Sequence, residues 1–260
     1  MEVHHHPEVE KKGFKEYILE GLMIFIAVFM GFIAENVRES VVEHNREKEY
    51  VKEMVNNLKY DTIRCDKNIA VDQVTCRGLD SLRNELQRAI TGHVNGNKLY
   101  YLSMSSSHVL GRATFNISAY TELRNSGSLR LIADKKLVTD ISDYYDRRVM
   151  ATQSLAPVDL REELRKTDAE FFNWAYFDDY IKGYDHKTNF IVNYDYEKIL
   201  TMKPAPTLLN TSPVALQRLY NEVAEYEMGV KNYIYFMSWT REAAVSLIGS
   251  IRKEYHLKDE

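Results

Sequence analysis

The chain has 260 residues, with 34 basic and 38 acidic side chains and a formal charge of −4. Neither sign gathers into a long block, so no electrostatic footprint for nucleic acid is present, and the length allows one or two domains with a sizeable core. Only 11 glycines and 5 prolines occur, the prolines at 7, 157, 204, 206 and 213, which leaves room for very long helices and argues against an all-β architecture.

Residues 1–16 read as a tail that carries His4, His5 and His6. Neutral imidazole is a common ligand for divalent metal, and tails brought together from several chains would supply a site. Three adjacent histidines do not readily converge on one ion from one chain, and a short expression tag is the other explanation. The remaining histidines, at 44, 93, 108, 186 and 256, show no metal-ligand spacing.

Tyr17 to Ala34 reads YILEGLMIFIAVFMGFIA, with Glu20 as its one charge. As a helix it spans about 27 Å, against a hydrocarbon thickness of roughly 30 Å. Residues 22–33 are apolar on every side, so a soluble fold would have to enclose them completely. No small-residue cleavage site follows; the chain runs straight into Glu35-Asn36-Val37-Arg38-Glu39. A transmembrane helix over 17–34 is therefore predicted, with a buried core helix and an uncleaved signal peptide as competing readings. Lys11, Lys12 and Lys15 precede the segment and Arg38, Arg46 and Lys48 follow it. The short basic tail places the N-terminus in the cytoplasm and the main domain on the other side. Ala27, Gly31 and Ala34 form a strip of small residues that allows close helix approach in a membrane, a route to a homo-oligomer. Glu20 costs about 3 kcal/mol if it is held within the hydrocarbon. Near the segment's start it can reach headgroup water and favour the positive end of the helix dipole; the alternative is a role in an ion path or subunit contact.

Residues 35–260 read as one water-exposed helical domain. From Glu35 to about Ile90 a stripe of residues at 51, 55, 58, 62, 65, 69, 76, 79, 82, 86 and 90 marks a helix face, interrupted around Asp72 and Gln73. Cys65 and Cys76 fall on it as small core residues, about 16 Å apart and thus beyond an intrachain disulfide. The helix is expected to stop near Thr91-Gly92, and residues 98–116 to form a loop or short helix at the far end of a bundle. Ser118 is expected to cap 119–125, with Gly127 as the stop, and Asp134 to cap a helix from Lys135 to about Gln153. Pro157 fits the first turn of another helix reaching about Phe177. Residues 188–196 alternate in a way that permits a short strand or an extended loop, and 203–206 are irregular. Asn210 or Thr211 is expected to cap a last helix to about Tyr255, burying Leu216, Leu219, Val223, Tyr226, Val230, Tyr233, Met237, Val245 and Ile248. The fold expected is all-α: one N-terminal transmembrane helix continuing into an elongated antiparallel bundle, with the C-terminus returning toward the membrane.

No GxSxG, P-loop or GxGxxG is present. Pairs such as Glu162-Glu163 and Asp178-Asp179 point in different directions on a helix and read as solvated faces, so no catalytic residue is assigned and a non-enzymatic protein is expected. Two stretches, MEVHHHPEVEKKGFKEYILEGLMIFIAVFMGFIAENVRESVVEHNREKEYVKEMVNNLKYDT and TFNISAYTELRNSGSLRLIADKKLVTDISDYYD, resemble a family of bacterial single-pass membrane proteins of unknown function. The shared features are a basic opening, one apolar helix ending in an AEN-R-E pattern and a TELRNSG-like helix stop. The resemblance covers about a third of the chain and implies a native histidine triplet, but no reaction or substrate.

The function expected is a membrane-anchored structural or interaction protein of the bacterial inner membrane, with its main domain periplasmic. It would be an accessory or self-assembling subunit whose partners are the lipid bilayer and other proteins or copies of itself, with no cofactor beyond a metal at the histidines. The alternatives are a subunit of an ion-translocating or metal-handling complex using Glu20 and the histidines, and a helical sensor domain. Under the ion-path reading Glu20→Gln abolishes transport or assembly; a complex unaffected in both removes that reading.

Overall fold

A computed structural model of the protein describes residues 13–178 and 197–258. The histidine triplet and the alternating stretch 188–196 lie outside the described residues. Helix α1, Phe14–Ile90, is 77 residues long, about 115 Å at 1.5 Å per residue. Nothing in its sequence breaks it, since it holds no proline and only isolated glycines. The apolar segment and the first bundle helix are therefore one helix. At its start Glu16 accepts the Gly13 amide at 2.9 Å; at its end Gly92 takes φ +94°, the left-handed conformation that glycine tolerates. No described residue before Glu47 is buried, so the first part of α1 stands free of the bundle.

The other elements are α2 (Gly96–Leu102), which runs into a π-helical turn over Ser103–Ser107, α3 (Ser118–Asn125), a 3₁₀ turn over Ser128–Leu131, α4 (Lys135–Ser142), a second π-helical stretch over Asp143–Val149, α5 (Met150–Ser154), α6 (Val158–Asp168), a 3₁₀ turn over Trp174–Phe177, α7 (Glu197–Leu200) and α8 (Pro213–Tyr255). No strand occurs among the described residues. The long helix α8 lies antiparallel to α1. Its end meets the start of the buried part of α1 where the Tyr255 hydroxyl donates to Glu47. Farther along, Arg241 Nε donates to Asp66 at 2.5 Å and Arg83 Nε to Glu227 at 2.7 Å. The fold is all-α, as read from the sequence.

Several expectations need correction. Ser118 does not cap α3: its hydroxyl accepts from Asn57 at 3.2 Å, and Asn116 Oδ1 receives the Ser118 amide at 3.1 Å. Asp134 does cap, receiving the Lys136 and Leu137 amides at 2.8 and 3.2 Å. The helix it starts then widens into the π-helical stretch, and this lets consecutive Tyr144 and Tyr145 both face inward. The helix after Pro157 stops at Asp168 rather than near Phe177, because Phe171 and Phe172 turn into the core against Tyr100, and Asn173 caps a short 3₁₀ turn over Trp174–Phe177. At α8, Asn210 accepts the Ser212 amide at 3.0 Å, while Ser212 holds the cap position and Pro213 the first turn. Val245 is exposed and Ile248 only half-buried; the buried line runs instead through Thr240, Ala244, Leu247 and Ile251. That line keeps alternating steps of three and four, but it passes through a threonine, so counting only apolar residues slips it by one position. On α1 the stripe likewise does not break at Asp72; it passes through buried Asp61 and Asp72.

The core has a far and a near part. In the far part Leu79, Leu82 and Leu86 of α1 pack with Tyr100, Phe171 and Leu219; in the near part Val51, Met54 and Leu58 pack with Tyr144, Tyr145 and Leu247. Gly96 opens α2 against the loop that precedes α8, and a Cβ there would lie 1.7 Å from the Pro206 carbonyl oxygen. A backbone atom cannot rotate aside, so Gly96→Ala is expected to cost about 1–3 kcal/mol, read as a lower Tm by circular dichroism.

Candidate functional site

Between the two parts of the core, residues 109–117 run without helical structure through the bundle. An extended segment cannot satisfy its own amides, and buried amides must find partners. Here α1 and α8 supply them. Asp72 Oδ1 accepts the Gly111 amide at 2.6 Å, and Asp61 Oδ1 accepts the Asn116 amide at 3.0 Å. From α8, the Tyr233 hydroxyl accepts the Ala113 amide at 3.0 Å, while the Tyr226 hydroxyl donates to the Val109 carbonyl at 2.7 Å. The lengths match: eleven helical residues from Asp61 to Asp72 rise about 16 Å, and five extended residues from Gly111 to Asn116 span about the same. The strap therefore runs antiparallel to α1 with both carboxylates in register. Gly111 permits the approach, since a Cβ there would sit 2.7 Å from the Asn68 carbonyl oxygen.

Asp61 also receives the Tyr144 hydroxyl at 3.4 Å. Its 1 % exposure, and the complete burial of Asp72, decide their electrostatics. Burial pushes Asp61 up to about 6, against the lowering effect of the Asn116 amide and Tyr144. Burial likewise pushes Asp72 up to about 7, with only the Gly111 amide acting the other way. At the head of the strap Asp168, also buried, receives the Ser103 hydroxyl at 3.0 Å, and burial raises it to about 7. His108 Nε2 lies 3.6 Å from Asp168 Oδ2; burial, then the guanidinium groups of Arg165 and Arg161, holds His108 down at about 4. It is neutral at pH 7, so this contact is not a pair of full charges. The seam binds a backbone segment rather than presenting groups to a substrate, and its carboxylates can take up protons near neutrality.

The residues singled out by sequence lie elsewhere. Glu20, Ala27, Gly31 and Ala34 are all on the free part of α1, exposed, with the three small residues on one face. Cys65 and Cys76 are buried as expected, and burial pushes their thiols up to about 12 and about 11. Among the described residues no three His, Cys, Asp or Glu side chains are grouped to hold a metal ion. Asp61 and Asp72 were not anticipated, although the sequence carries a signal: Asp61-x-x-x-Cys65 recurs eleven residues on as Asp72-x-x-x-Cys76. No family model, curated protein or solved structure matches the chain.

Each of these aspartates has a folded-state pKa above its unfolded value near 3.9. The folded state thus holds the proton more tightly, and the stability linked to it is fully present below pH 4 and lost as pH rises through 6 to 7. Thermal unfolding in detergent is expected to show a lower Tm at pH 8 than at pH 5, with Asp72→Asn flattening part of the slope; a Tm that rises over this range contradicts the assignment. Asp72→Ala, which strands the Gly111 amide, is expected to cost about 1–3 kcal/mol at pH 5.

Proposed function

We propose that the protein is a single-pass membrane protein of structural or interaction type, in which residues 17–34 of α1 cross the bilayer and the bundle is carried as a rigid scaffold in water. One observation carries this reading: the helix long and apolar enough to cross a membrane has none of its apolar window buried, yet continues unbroken into the bundle. A surface of that length and composition needs a nonpolar environment, and a helix satisfies its own backbone there. The exposed helix from Ala34 to Glu47 then holds the bundle about 20 Å from the hydrocarbon. Glu20, near the segment's start, falls at the lipid–water boundary, where its charge is tolerated. The basic tail orients the N-terminus to the cytoplasm and the bundle to the periplasm, in line with the bacterial family whose opening segment this one resembles. Asp61 and Asp72 each hold a strap amide, Asp61 and Asp168 also accept core hydroxyls, and Glu227 pairs with Arg83, structural roles that favour a scaffold over an enzyme.

Alkaline carbonate extraction of cell membranes tests the anchor. The native chain is expected in the pellet and an Ile26→Arg/Phe29→Arg variant largely in the supernatant; a native chain released by carbonate contradicts the proposal. Because both native thiols are buried, single cysteines at Gly13 and Glu39 report topology cleanly. Membrane-impermeant maleimide applied from the periplasmic side is expected to label only Glu39→Cys.

A further inference from the structure

The outward side of α1 carries a row of residues, in steps of three and four, that keeps the natural helix period of 3.6. It starts at Ala27, Gly31 and Ala34 and stays exposed through Val41 to the stretch that backs the strap. There it presents Tyr60, Ile63, Ala70 and Val74, with Tyr60, Ile63 and Val74 each more than half exposed although they sit at the level of the buried core. Strips of small residues are common and specify no partner by themselves; the apolar continuation on the water-exposed bundle is what calls for one.

We propose that this face of α1 binds a second copy of the chain, forming a parallel two-fold dimer along the helix. The proposal rests on the membrane reading, because the bilayer holds two copies parallel and at equal height, so that identical rows meet in register as an isologous contact. Arg38 and Lys52 on the row each have a carboxylate within a turn, which offsets the approach of a like charge from the second copy. Lys52 bonds Glu49 at 3.0 Å and Arg38 bonds Glu35 at 2.5 Å within one chain. A parallel copy presents its own Glu49 and Glu35 within a turn of the same cations, so each cation has a carboxylate from either chain within reach. Lys67 sits on the row between Ile63 and Ala70 and, being long, lifts its ammonium to the rim while its stem covers apolar surface. A helix face about 10 Å wide and about 70 Å long presents on the order of 700 Å² per chain, close to the roughly 800 Å² per partner of a standard interface.

The test is cysteine cross-linking of the full chain in native membranes, where the buried Cys65 and Cys76 stay silent. Ile63→Cys and Val74→Cys are expected to give a covalent dimer on mild oxidation at least tenfold more than Gln73→Cys and Asn84→Cys, exposed positions off the row. Val74→Arg, at a position exposed in the single chain, is expected to leave the circular dichroism spectrum unchanged and to convert the dimer to a monomer by mass in nanodiscs. Equal cross-linking on and off the row, or a monomeric mass for the native chain in nanodiscs, overturns the dimer while leaving the anchor intact. Recovery of the native chain in the soluble fraction overturns the anchor and, with it, the reason for parallel register.

Discussion

The bundle depends on two carboxylates, Asp61 and Asp72, that lie on the buried side of α1 and accept amides from a segment outside any helix, whose Gly111 and Asn116 amides find their acceptors there. Leaving either amide buried without a partner would cost about 1–3 kcal/mol, and a charged or polar acceptor in a dry seam gives a stronger bond than it would in water. The cost falls on the acids, whose burial disfavours ionisation. The strap is held only where both spacings agree, eleven residues on a helix against five in extended chain. Around it α8 contributes Tyr226 and Tyr233, aromatic bodies that pack in the apolar core and hydroxyls that reach the strap.

This arrangement divides the interior. Apolar packing lies on either side of the strap, with Leu79, Leu82 and Leu86 in one part and Val51, Met54 and Leu58 in the other. A long two-helix contact made only of apolar side chains can slide by a turn at little cost. The strap, the Thr152–Thr240 hydroxyl contact at 2.7 Å and the Arg83–Glu227 pair permit one register of α1 against α8.

The continuity of α1 joins these features to the proposed function. A helix with no proline and no break between its apolar segment and its core has no hinge, so the bundle's orientation follows the tilt of the segment. The same continuity puts the small residues of the apolar segment and the exposed apolar residues near Val74 on one side of one rod.

The sequence by itself determined the helical class, the presence near the N-terminus of an apolar helical segment long enough to cross a membrane, the burial of Cys65 and Cys76, and the antiparallel return of the last helix. These follow from local properties: spacing of apolar residues, absence of proline, and caps such as Asp134 that act within a turn. Only the tertiary structure decided the rest. The buried line of α8 passes through Thr240 because a partner hydroxyl, Thr152, waits there from a helix 88 residues earlier in the chain, and apolar counting therefore pointed to Val245. Asp72 read as an interruption of a stripe, since a carboxylate on a core face is unfavourable until a strap amide arrives from another part of the chain. What a polar residue does in an interior is set by the group that meets it, and that group is not local.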